Sequence, residues 1–150
     1  MKHIFIINPA AGKDNSFDNI KKILELKKVE VDYELYETQA PGDATAYIRK
    51  YCTEHQEPVR FYACGGDGTL NHIANALSDR SIKNDVYYYP CGTGNDFARD
   101  IGVADAREPL MINDYIKDLP TVMVNGTERK FINGVGFGID GYCCEVGDSL

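Results

Sequence analysis

Three short segments hold the residues best suited to chemistry: Asn8-Pro9-Ala10-Ala11-Gly12-Lys13, Gly65-Gly66-Asp67-Gly68-Thr69 and Pro90-Cys91-Gly92-Thr93-Gly94-Asn95. Glycine lets a backbone come close to an anion, and the amides at the start of a following helix add donors and partial positive charge. A single loop of this kind is most simply a tight turn. Two in succession, each mixing glycine with Asp, Thr or Asn, point to a phosphate-binding rim. Asp67 is the most informative residue, because a carboxylate there would repel a phosphate unless a cation bridges them or it takes a proton. It is therefore a candidate magnesium ligand and catalytic acid or base, with the capping of a helix near Thr69 as the structural alternative. His72, one helical turn on, reaches a phosphate or packs; Asp96 fits a helix start.

Other motifs carry less. Gly12-Lys13 lacks the earlier glycine of a Walker loop. Gly136, Gly138 and Gly141 have the GxGxxG spacing, but the acidic ribose partner expected about 20 residues later would fall beyond Leu150. Cys52, Cys64, Cys91, Cys143 and Cys144 include no CxxC pair and read as small buried hydrophobes with free thiols.

The elements that must position these loops follow from periodicity. His3 to Ile7 is a strand buried on both faces, and a helix opened by Ser16 carries Phe17, Ile20, Ile23 and Leu24. Val29 to Tyr36 alternates apolar with acidic residues, as an edge strand would. A helix stripe at Ala44, Tyr47, Ile48, Tyr51 and Cys52 leads to a strand over Val59 to Cys64, which runs into the second loop. A helix bearing Leu70, Ile73, Ala74 and Leu77 follows, then a strand over Val86 to Tyr89, the third loop and a helix from Asp96 to Ile101. This alternation predicts an α/β fold of Rossmann-like type, a parallel sheet with helices on both faces.

After about residue 119 the rhythm changes. Thr121 to Val124, Asn125-Gly126 and Lys130 to Ile132 read as a hairpin. The expected division is an α/β unit over 1–119 and the incomplete beginning of a β-rich unit over 120–150, the alternative being a hairpin packed on the edge of the first sheet.

With 43% hydrophobic and 26% charged residues, the chain has the composition of a globular protein with a real core. The net charge of -7 with no basic run argues against a nucleic-acid partner. No apolar run reaches the roughly 18 residues of a membrane span, and the opening residues are too short for a signal peptide. A cytoplasmic location is expected.

The three loops in order, the second extended by Leu70-Asn71 and the third by Asp96-Phe97-Ala98-Arg99, resemble the signatures of the diacylglycerol kinase catalytic domain family. The intervening Thr38 and Pro41-Gly42-Asp43-Ala44 agree. The resemblance implies a lipid kinase that transfers the γ-phosphoryl group of ATP to a lipid hydroxyl such as that of diacylglycerol, with Mg2+ as cofactor. Carried over by motif, the nucleotide contacts are Asn8, Pro9, Ala10, Ala11, Gly12, Thr38, Gly66, Asp67, Gly68, Thr69, Leu70, Asn71 and Thr93; His72 joins them through its place on the first turn of the same helix. Asp67 keeps the metal and catalytic role read above from its own setting. Asp140, in a stretch similar to the family's second domain, is the candidate facing the acceptor.

Two departures bear on this. His72 stands where the family commonly has Glu, and bacterial members draw their general base and structural magnesium ligands from the second domain. The implied partners are ATP and a lipid acceptor at the membrane surface, so the enzyme would be peripheral to the membrane during turnover; homo-oligomer formation stays open. Two alternatives stand beside this: an NAD-kinase-like small-molecule kinase and a non-catalytic nucleotide-binding fragment.

Overall fold

The computed structural model describes residues 1–11, 16–26, 30–77, 83–103 and 108–135. A five-stranded sheet runs in the order β2(Tyr33–Glu37), β1(His3–Ile7), β3(Arg60–Gly65), β4(Asp85–Pro90), β5(Leu110–Met111). The first four strands are parallel and β5 pairs antiparallel with β4, placing Met111 opposite Tyr87 and Leu110 opposite Tyr88. The helices are α1(Ser16–Leu26), α2(Asp43–Glu54), α3(Asp67–Leu77), α4(Asp96–Asp100) and α5(Asn113–Ile116).

The alternation of side chains along β1 fills both faces. Ile4 and Ile6 enter the larger core with Phe61 and Ala63 of β3, Ile48 of α2 and Leu70, Ile73 and Leu77 of α3. Phe5 and Ile7 point the other way, to Ile20 and Leu24 of α1 and Tyr62 and Cys64 of β3. Helices thus cover both faces, as expected of a parallel sheet. Ile6 is completely buried, and its truncation to alanine would cost about 2–5 kcal/mol. The β2 strand is an edge strand, as its acidic alternation predicts, but it starts at Tyr33. Val31, expected within it, is 41% exposed in the approach.

The short elements β5 and α5 are absent from the sequence reading. They are anchored by the Asn113 side chain, which accepts Val86 N–H at 2.7 Å and donates to the Asn84 carbonyl at 2.9 Å. Ile112 and Ile116 then bury beneath the sheet edge. Asn113 replaces ladder partners that β4 would otherwise lack at its start.

A separate two-stranded sheet joins β6(Thr121–Val124) and β7(Thr127–Lys130). The turn residues Asn125 and Gly126 have φ of 51° and 78°, the left-handed pair that a two-residue hairpin loop demands. That loop fixes the return strand at Thr127, whereas the sequence suggested Lys130 to Ile132. Instead of lying on the sheet edge, the hairpin docks on α3. The Asn75 side chain donates to the Lys130 carbonyl at 2.8 Å and accepts the Lys130 N–H at 2.9 Å. Ile132 packs against the larger core.

Candidate functional site at the carboxyl ends of the strands

From β1 the chain crosses to β2 on one side, and from β3 it crosses to β4 on the other. The carboxyl ends of β1 and β3 therefore border the switch point where open α/β sheets bind ligands. The ladder continues into the loops there: Asn8 N–H donates to the Cys64 carbonyl at 3.1 Å, and Thr38 N–H to the Ile7 carbonyl at 2.9 Å. Asn8 shapes its own loop, since its Oδ1 accepts Ala10 N–H at 3.0 Å and its carbonyl accepts Ala11 N–H at 3.1 Å.

A cleft of about 490 Å³ opens over this point. Asn8, Pro9 and Ala10 form one wall, the Thr38 to Gly42 loop another, and Gly68, Thr69 and His72 of α3 the floor. The first bond of α3 runs from Leu70 N–H to the Gly66 carbonyl, so the amides of Asp67, Gly68 and Thr69 precede the helical ladder and carry the positive end of its dipole. A side chain at Gly68 would meet no atom within 4 Å; this position faces open space. Such an edge, with hydroxyl and amide side chains opposite, suits an oxyanion-bearing ligand of nucleotide size.

The 38–42 loop is held by Asp43. Its carboxylate accepts Tyr36 Oη at 2.9 Å and Gln39 N–H at 2.8 Å. Burial, then the Asp43 carboxylate, pushes the Tyr36 phenol above its ordinary value and keeps it a donor.

The second and third glycine loops lie against one another. A Cβ on Gly92 would stand 2.5 Å from the Cα of Gly66, a distance that backbone cannot absorb cheaply. These two glycines are explained by close packing of backbone on backbone. The Asn95 side chain closes the third loop, accepting Gly92 N–H at 3.0 Å and donating to the Gly92 carbonyl at 2.8 Å. Tyr88 donates to the same Oδ1 at 3.3 Å, its phenol pushed up by burial and then by the Asp67 charge.

Asp67 has a different place from the one its motif suggests. Both carboxylate oxygens are engaged at the start of α4, accepting Asp96 N–H at 2.8 Å and Phe97 N–H at 2.9 Å. It caps a helix, but α4 instead of its own, and it does not line the cleft. Among the described residues no three His, Cys, Asp or Glu side chains converge on a point where a metal could sit. Both Asp67 oxygens are committed to the two α4 amides, so a magnesium ion bridged to phosphate would meet this carboxylate only with one of those bonds exchanged.

Asn8, Pro9, Ala10, Thr38, Gly68, Thr69 and His72 thus share one cleft. Gly66 lies against Gly92, Thr93 is exposed on the third loop, and Ala11 and Leu70 are buried, so Leu70 offers the cleft no side chain. Asn71 faces a neighbouring hollow. Gly12 and Asp140 lie outside the described residues. Gln39 and Ala40, which the motif reading omitted, line the cleft because Pro41-Gly42 turns the chain just after them; that turn was the available signal.

Residues 2–124 match the diacylglycerol kinase catalytic domain. The chain belongs to that family. A diacylglycerol kinase of Bacillus subtilis (strain 168) is 30% identical over 141 residues, covering 89% of this chain and 44% of its own. One from Staphylococcus carnosus (strain TM300) is 33% identical over 95 residues, covering 63% of this chain and 30% of its own. The crystal structure of a diacylglycerol kinase from Bacillus anthracis str. Sterne superposes with a TM-score of 0.55 at 31% identity, covering 70% of this chain and 39% of that one. The chain spans half or less of the length of these relatives. Among the described residues no helix is long and apolar enough to cross a membrane.

Proposed function

We propose that this chain supplies the nucleotide-binding side of an ATP-dependent lipid kinase, with a lipid hydroxyl such as that of diacylglycerol as acceptor. The single observation that carries this is the cleft over the switch point, where the leading amides of α3 and the open Gly68 position face the Asn8 and Thr38 loops. In this reading residues 1–119 are the nucleotide-binding unit, and 120–150 begin a β-rich unit that carries Asp140 towards the acceptor. The enzyme works in the cytoplasm and at the membrane surface during turnover.

Phosphoryl transfer asks a protein chiefly for alignment and charge stabilisation. The amides of Gly68 and Thr69 hold the phosphate oxygens by donated hydrogen bonds. Asn8 and Thr38 fix the nucleotide from the facing loops, and His72 occupies the floor where a like-charged carboxylate would repel phosphate. ATP, when bound, supplies the phosphoryl group. Asp67 acts as a positioning residue, tying the second glycine loop to α4 and so holding the first turn of α3 rigid.

The test is transfer of labelled phosphate from ATP to diacylglycerol in mixed micelles, with NAD and sphingosine as competing acceptors. Transfer to diacylglycerol is the expected result. Transfer to NAD alone would replace the lipid assignment, and nucleotide binding with no transfer to any acceptor would reduce the chain to a binding module.

A further inference from the structure

The wall of the cleft made by Thr38 to Gly42 is neither helix nor strand, and one side chain outside the cleft decides its path. Gly42, with φ of 84°, turns the chain into α2, and Asp43 follows as the first helical residue. The positive end of α2 favours a negative charge at this place. The carboxylate reaches back from there. Its Oδ2 accepts the Gln39 N–H at 2.8 Å and its Oδ1 the Tyr36 hydroxyl at 2.9 Å, while the Asp43 N–H donates to the Ala40 carbonyl at 3.2 Å.

The far side of this link is anchored in the sheet. Tyr36 stands opposite Ile6 in the β1–β2 ladder, and its ring stacks on that of Tyr47 with centroids 3.8 Å apart. The Tyr47 hydroxyl in turn donates to Glu34 Oε1 at 2.6 Å. The Tyr36 hydroxyl is thus presented by the packing of β2 on α2. Thr38 is tied to β1 by its own N–H; beyond it, the Gln39 N–H and the Ala40 carbonyl both end on Asp43.

Thr38, Gln39, Ala40 and Pro41 line the cleft without bringing a charge to it, whereas the leading amides of α3 offer donors to oxyanions. The loop therefore suits the uncharged part of a nucleotide and α3 suits its phosphates. A wall held in place before binding spares the cost of ordering it on binding.

We propose that Asp43 is a positioning residue for the nucleotide. Through Gln39 and Tyr36 it sets the wall against which the nucleoside packs, while its own side chain stays out of the cleft. This rests on the nucleotide reading of the cleft and names the group that shapes one side of it.

The experiment is calorimetric titration of the full chain and of its Asp43→Asn and Tyr36→Phe variants with a non-hydrolysable ATP analogue and with tripolyphosphate. Asparagine keeps the size of the side chain with one accepting oxygen, and phenylalanine keeps the ring on Tyr47 without the hydroxyl. The ATP analogue should bind Asp43→Asn more weakly by about fivefold or more and Tyr36→Phe by about twofold or more. Tripolyphosphate should bind all three chains alike. Unchanged affinity for the ATP analogue in either variant overturns the proposal. Equal loss of both ligands also overturns it, because a general loosening of the fold acts on the whole cleft. So does a parent that binds the ATP analogue but not tripolyphosphate, since the phosphates would then not be held apart from the wall. Should Asp43→Asn fail to fold, Tyr36→Phe decides by the same two ligands. A parent that does not bind the ATP analogue strikes the nucleotide reading itself and the proposal with it.

Discussion

The Asp67 carboxylate accepts the Phe97 backbone N–H at 2.9 Å across 30 residues of sequence. It takes the Asp96 N–H as well, so the acid of one glycine loop caps the helix that follows the next. Removing both acceptors in Asp67→Ala should cost about 1–2 kcal/mol, the usual worth of a cap, and Asp67→Asn, which keeps one amide oxygen, roughly half as much. Urea unfolding measures both. An Asp67→Ala chain as stable as the parent would refute the capping role and return Asp67 to the chemistry of the cleft.

The two glycine loops should respond oppositely to the same small change. Gly92→Ala drives a Cβ to within 2.5 Å of Gly66 Cα, and overpacking of this kind costs about 1–3 kcal/mol. Gly68→Ala meets open space at the start of α3 and should lie within about 1 kcal/mol of the parent, on the stabilising side, from helix propensity. Unfolding midpoints that shift alike would contradict the backbone-to-backbone contact.

Acid sensitivity should arise in part at the opposite end of the sheet. The hydrogen bond from Lys2, 2.6 Å away, and then that from Tyr47 hold the Glu34 carboxyl below its ordinary 4.5. A depressed carboxylate contributes stability that is complete above 4.5 and is lost as pH falls through the lower folded value. The same pairing raises Lys2 above 10.5, adding stability that is present below that pH and lost as pH climbs through the raised value. The pair is about one-third exposed, so its worth is about 0.2–1 kcal/mol. Stability profiles of Glu34→Gln should be flatter than the parent's on both limbs; parallel profiles would show that the pair contributes nothing.

The thiols of Cys64 in β3 and Cys91 in the third loop should be inert while the protein is folded. Burial raises Cys64 well above 9.0 and pushes Cys91 up to about 11, and the thiolate is the reactive form. Iodoacetamide labelling followed by peptide mapping should modify Cys64 and Cys91 only after denaturation. Rapid labelling of either in the native chain would contradict the packing of β3 against β4.

Local pattern made much of this legible. The Ile-rich run of β1, the 3.6-residue stripes of α2 and α3 and the Asn125-Gly126 turn each declare themselves over a few residues, because burial and turn geometry act locally. What escaped was built by single side chains reaching far along the chain. Asn113 creates an edge for β4 from 27 and 29 residues away, and no periodicity announces a two-residue strand. The Asp67 link to α4 was equally invisible, since spacing suggested the nearest helix. The glycines told half of their meaning: Gly68 borders the open cleft, whereas Gly66 and Gly92 are there for one another.

In the proposed function the leading amides of α3 receive the phosphates of a nucleotide. Gly68→Val tests it, because this position has no neighbour to displace and the added methyl groups project where the phosphates would lie. Calorimetric titration with a non-hydrolysable ATP analogue should give saturable binding to the parent chain. The variant, with its unfolding midpoint kept, should bind more weakly by about tenfold or more. Equal affinity in the two chains, or no binding by the parent, would contradict the account.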